Sequence, residues 1–128
     1  MTIDIKIKQH NDFLEIIATG PYDLNEAINQ FPHVLDVCRL SGLQKVLIDI
    51  RGLERQGSAT EKSLYALGVV DHYENYLKLG GNELQIAYVD SIVTAYEPGA
   101  QIGERSKVHF KLFDKVDEAL EWLGVKIT

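Results

Sequence analysis

The sequence predicts an α/β fold, a mostly parallel (βα)n sheet with an N-terminal antiparallel hairpin strand. Three observations predict it. Ile3, Ile5 and Ile7 alternate with Asp4, Lys6 and Lys8, the period of two that marks a half-exposed strand. KVLIDI (45–50), LQIAYV (84–89) and VHFKLF (108–113) are short runs rich in aliphatic and aromatic residues, as buried parallel strands tend to be. Between them lie stretches with helical spacing and helix stop signals. Strands alternating with helices require right-handed crossovers, and hence a mostly parallel sheet.

The first strand is followed by FLEIIATG, with Asn11-Asp12 between them. A two-residue turn there makes a hairpin in which Ile7 faces Ile16 and Ile5 faces Ala18, giving one apolar face. The first strand then lies antiparallel at or near a sheet edge. PYDLNEAINQFPHVLDVCRLSG comes next. Asp23 with Glu26 forms a capping-box pattern, and Leu24, Ala27, Ile28, Phe31, Val34, Leu35 and Cys38 share one helical face. Pro32 removes an internal hydrogen bond and is expected to kink or split this helix; Gly42 ends it.

A second helix is expected from about Ser58 to Leu79, with Ala66, Val69, Val70, Tyr73 and Leu77 on its apolar face and Gly80-Gly81 as its stop. The closing DKVDEALEWLG reads as a helix capped by Asp114, buried along Val116, Ala119, Leu120 and Leu123, and stopped at Gly124. In 91–107 a short helix near Ser91 to Tyr96 and a turn at Pro98-Gly99 are expected, with a second helical turn before Lys107, since a structureless loop of that length is unusual. The plain crossover is the first reading of this segment, a lid over the sheet edge the second.

The bulk properties set further bounds. A chain of 128 residues with 45% hydrophobic composition has the size of a single domain, 1–128, able to bury a core without disulfides or metals. A formal charge of -6 argues against non-specific nucleic-acid binding, which needs a positive stripe. Cys38 is the sole cysteine, so a reducing compartment is the default. MTIDIKIKQH has no signal-peptide character, and LYALGVV is too short for a membrane span. A soluble cytoplasmic protein is expected.

Three stretches, KVLIDIRGL, IAYVD and VHFKLFDKVDEALEWLG, resemble the STAS class, the fold of bacterial anti-sigma-factor antagonists and anion-transporter tails. More narrowly, they are similar to the uncharacterised STAS-related bacterial proteins described as SpoIIAA-like. The resemblance covers most of the C-terminal two thirds; the hairpin and first helix fit by pattern. It implies a regulatory or ligand-binding module of the bacterial cytoplasm, with protein partners and small anionic or lipidic ligands. Sigma-regulatory members carry an Asp-Ser-Ser-Gly-like tetrapeptide after the strand equivalent to 45–50, and its serine is phosphorylated. Here the region reads GLERQGSAT. The tetrapeptide is absent, and Ser58 and Thr60 stand near its place.

That junction, IDIRGLERQGSATEKSL (48–64), admits three uses. Ser58 and Glu61 form a second capping box, the first reading. Free N–H groups at a helix start attract anions, with Arg51 and Arg55 as countercharge, so Arg51, Arg55, Ser58 and Thr60 are the anion- or ligand-binding candidates. Ser58 and Thr60 are also the phosphorylation candidates. Asp49, Asp90 and Asp114 stand near the ends of successive strands, where carboxylates serve as metal ligands or as acid and base, or else cap and accept loop N–H bonds.

His10, His33, His72 and His109 fall in different elements without metal-ligand spacing, and no metal or cofactor is expected. Cys38 reads as a core residue. Tyr65, His72 and Tyr76 are placed on the flank of the second helix, as candidates for contact with a second subunit. The leading function is a non-enzymatic STAS-like regulatory or ligand-binding module acting through protein contacts. The alternatives are a small enzyme using Asp49, Arg51, Ser58 and Asp90 at the carboxyl edge of the sheet, and a purely structural dimerisation domain.

Overall fold

The computed structural model describes residues 3–54, 59–90 and 109–125. Strands β1 (Asp4–Gln9) and β2 (Leu14–Gly20) are followed by α1 (Leu24–Ser41) and β3 (Lys45–Leu53). Then come α2 (Ala59–Lys78), β4 (Gln85–Val89), β5 (His109–Phe113) and α3 (Val116–Leu123). The sheet order is β1-β2-β3-β4-β5, with β1 antiparallel to β2 and all other neighbours parallel. Arg55, Ser58 and the segment expected to hold Ser91, Tyr96, Pro98, Gly99 and Lys107 lie outside the described residues. Among the described residues, no helix is long and apolar enough to cross a membrane.

The hairpin register is the one its apolar pattern requires. Ile7 pairs with Ile16 and Ile5 with Ala18, and the His10 N–H donates to the Phe13 carbonyl at 2.9 Å to close the turn. The two faces of the sheet then build separate cores. Leu14, Ile16, Val46, Ile48, Ile86 and Tyr88 pack under α1 and α2, while Phe13, Leu47, Ala87, Val89 and Phe113 pack under α3 with Ala119 and Leu123. Alternation along β3 and β4 sends consecutive residues to opposite cores, which is why these runs are apolar at nearly every position.

Asp23 is extended and its carboxylate accepts the Glu26 N–H at 2.8 Å, so the α1 cap forms as expected. Glu26 does not complete the box. Its carboxylate accepts from the backbone N–H of Ile3 instead, tying the helix start to the head of β1. Pro32 does not split the helix, which runs as one element to Ser41. Phe31, Val34, Leu35 and Cys38 are all buried in one core, so packing holds the turns around the proline and offsets the lost hydrogen bond. Gly42 closes α1 in the left-handed region, at φ 75°, its N–H bonded to the Cys38 carbonyl.

Two further expectations are corrected. Asp114 is exposed, and the N-cap position of α3 is Lys115, which makes no side-chain cap bond; an ammonium has no acceptor to offer a backbone N–H. Tyr76 is not on a flank but in the core, 5% exposed. Its ring stacks on Tyr73 at a centroid distance of 6.4 Å with the Arg39 guanidinium 5.2 Å above it. Gly81 passes so close beneath that ring that a Cβ there would overlap it.

Candidate functional site at the carboxyl rim of the sheet

Because β2 to β5 are parallel, their carboxyl ends share one rim, and α2 begins there. β3 outruns its neighbour. Asp49 pairs with Val89, the last residue of β4, and beyond it β3 continues beside β2 to Leu53. Ile17 pairs with Asp49 but Thr19 with Gly52, so two steps along β2 meet three along β3. One extra residue is accommodated as a bulge, a device that re-aims side chains at a strand end. Gly52 lets the strands close again, since a Cβ there would stand 2.6 Å from the Thr19 methyl.

The bulge places Arg51 on a strand, not in the loop that the sequence pattern implies, and turns it back onto Asp49. Its backbone N–H donates to Oδ1 of Asp49 at 3.1 Å, its Nε to the same oxygen at 2.9 Å, and its Nη2 to Oδ2 at 2.7 Å. This is a planar fork on a carboxylate, the strongest common ion-pair geometry. The Arg51 hydrogen bonds hold the Asp49 carboxyl below its usual range against the opposing effect of burial, and they raise the guanidinium. The Asp49 side chain is 13% exposed and that of Arg51 46%, so the pair has a buried end and a wet end.

The other rim candidates are distributed around this pair. Asp90 is buried directly after β4, and its N–H donates to the Phe113 carbonyl at 2.9 Å. Thr60 is exposed in the first turn of α2, beside the acidic Glu61. Asp114 follows β5 in solvent. The structure thus joins Asp49 to Arg51 and sets Asp90, Asp114 and Thr60 on the same rim. His10 lies at the opposite rim, its Nε2 2.9 Å from a Glu15 carboxylate oxygen and its ring stacked on Phe13. Cys38 is buried, and burial pushes its thiol up to about 12. Among the described residues, no three His, Cys, Asp or Glu side chains gather as metal ligands, and no buried side-chain polar atom lacks a hydrogen-bond partner.

A tyrosine cluster, missed by the sequence reading, supports the rim from below. The hydroxyls of Tyr65 and Tyr88 are 2.9 Å apart, and Tyr88 meets Phe110 edge-on at 6.0 Å. Burial pushes Tyr65 up to about 12 and Tyr88 well above its ordinary value. Burial raises the Tyr22 hydroxyl, and the charges of Glu61 and Asp23 raise it further. Two signals point to the pair. Tyr65 lies four and eight residues before the inward-facing Val69 and Tyr73, and Tyr88 alternates with Ala87 toward the α2 side.

No protein-family model matches the chain, and no curated protein does. Solved structures do match. An anti-sigma factor antagonist from Mycobacterium paratuberculosis shares 15% identity at a TM-score of 0.58, over 96% of this chain and 95% of that one. An uncharacterized protein with a SpoIIAA-like fold from Shewanella loihica shares 21% identity at 0.52, over 95% and 93%. The Bacillus cell fate determinant SpoIIAA in its phosphorylated form shares 10% at 0.50, over 94% and 99%. The chain has the SpoIIAA-like fold.

Proposed function

We propose that this protein is a non-enzymatic regulatory module that acts through contacts with another protein. The observation that carries this reading is two-sided coverage: the fold of an anti-sigma factor antagonist accounts for 96% of this chain, and this chain accounts for 95% of it. The rim chemistry agrees. Asp49 and Arg51, two of the three charged groups an enzyme reading draws on, are each other's partners, and a base held low by its own arginine is poorly matched to proton transfer near neutrality.

Regulation would act at the start of α2. One neighbour is the phosphorylated form of SpoIIAA; here Thr60 is exposed in the first turn of α2, with Ser58 close in sequence. A phosphate on Thr60 would lie in the first turn of α2, where negative charge is stabilised. The exposed half of Arg51, with Arg55 close in sequence, supports the reading that a small anion or an anionic lipid headgroup is taken up there. Native mass spectrometry of the protein purified from its own host tests this reading. A protein partner retained at fixed stoichiometry, and lost or gained with a phosphate on Ser58 or Thr60, is the expected result. A bare, unmodified chain that catalyses a reaction through Asp49 overturns it.

A further inference from the structure

We propose that β1 is the seam of a homodimer, in which two copies pair their β1 strands antiparallel, Ile5 opposite Ile7 of the partner. β1 is an edge of the sheet, and among the described residues nothing pairs with its outer side. The His10–Phe13 bond that closes the hairpin fixes which amides are free there. Bonding alternates along an antiparallel pair, so Asp4, Lys6 and Lys8 turn their backbone groups to β2 while Ile5, Ile7 and Gln9 turn theirs outward. The outward run stops at Ile3, whose N–H is held by Glu26.

Side-chain pattern then selects one register. Centring the two-fold on Lys6 lets each Ile5–Ile7 pair exchange both backbone bonds and sets Asp4 opposite the partner's Lys8. Within one chain Lys8 already pairs across β2 with Glu15, and Asp4 with Thr19. Across the seam this face would therefore read Glu15, Lys8 and the partner's Asp4, with alternating sign. The other face would read Ala18, Ile5, then the partner's Ile7 and the partner's Ile16, covering isoleucines that each chain leaves only partly buried. Moving the centre to Ile7 opposes Lys6 to the partner's Lys8, and moving it to Ile5 requires the Ile3 N–H that Glu26 occupies. Edge lysines usually keep strands apart. Here each Lys8 gains a carboxylate, and only Lys6 meets its own copy, on the solvent face where long stems can splay. The tyrosine flank expected to serve as an interface, by contrast, has Tyr76 buried in its own core.

Sedimentation of the full chain over a concentration series from about 1 μM to about 1 mM is expected to show a monomer–dimer equilibrium. Asp4→Lys alone, and Lys8→Glu alone, oppose like charges twice per dimer and weaken association by about tenfold or more. The double variant restores the opposite-charge pairing and the association. Hydrogen exchange on the unaltered chain reads the same seam independently: the Ile5 and Ile7 amides slow as concentration rises, while that of Lys6, already bonded to β2, does not change. A monomer throughout, a dimer indifferent to the single changes, an unrestored double variant, or Ile5 and Ile7 amides unaffected by concentration overturns the proposal.

Discussion

The hydroxyl of Tyr65 on α2 meets that of Tyr88 on β4 at 2.9 Å, across 23 residues of sequence. The rings contact edge-to-face at 6.0 Å, so one polar bond and one aromatic contact pin the first half of α2 to the middle of the sheet. The start of that helix is where the proposed regulation acts. A partly buried hydroxyl pair of this kind is stabilising mainly because each group would be costly alone.

Tyr65→Phe is therefore expected to cost about 1–2 kcal/mol by stranding the Tyr88 hydroxyl. Adding Tyr88→Phe removes the stranded group, so the double variant costs less than the sum of the two single changes. Urea unfolding of all four proteins checks this. Strictly additive costs would show that the hydroxyls do not depend on one another.

Arg51→Ala is expected to lower stability at neutral pH by about 1 kcal/mol, the fork being discounted for its exposed arginine. The sign of the pH dependence follows from Asp49, whose folded-state pKa is depressed. Such a carboxylate contributes stability that is fully present above its unfolded value of about 3.9 and lost as pH falls through the depressed one. The cost of Arg51→Ala should shrink as Asp49 protonates. Urea midpoints at neutral pH and in acid make the comparison, and an equal cost at both would assign the arginine to packing, not charge.

Asp23→Ala removes the acceptor for the Glu26 N–H and is expected to cost about 1 kcal/mol. Asp114→Ala, at the position the sequence alone marks as a cap, should stay within about 0.5 kcal/mol of the unaltered protein. Thermal midpoints of the two variants side by side test whether the structure assigns the caps correctly.

Much of this fold was legible because its signals are local. Ile5 and Ile7 alternating with charges, and a two-residue turn, suffice for the hairpin register, since a slip of one residue would turn every isoleucine to the wrong face. The left-handed stops at Gly42 and Gly124 are written in single residues. The misses share a cause. Asp114 fits a cap by spacing, but whether it reaches a backbone N–H depends on where β5 delivers the chain. Arg51 reads as a loop residue until the extra length of β3 beside β2 is known, and Tyr76 reads as a flank until Arg39 and Gly81 close around it.

Sequence alone determined the order and kind of the described elements, the mostly parallel sheet and the rim that carries Asp49, Arg51 and Asp90, because periodicity and caps act over a few residues. Tertiary structure alone decided that Arg51 turns back onto Asp49, that Tyr65 and Tyr88 share a bond, and that Glu26 serves Ile3. Each of these depends on the distance between segments remote in the chain or on a bulge set by a neighbouring strand, and no local pattern encodes such a distance.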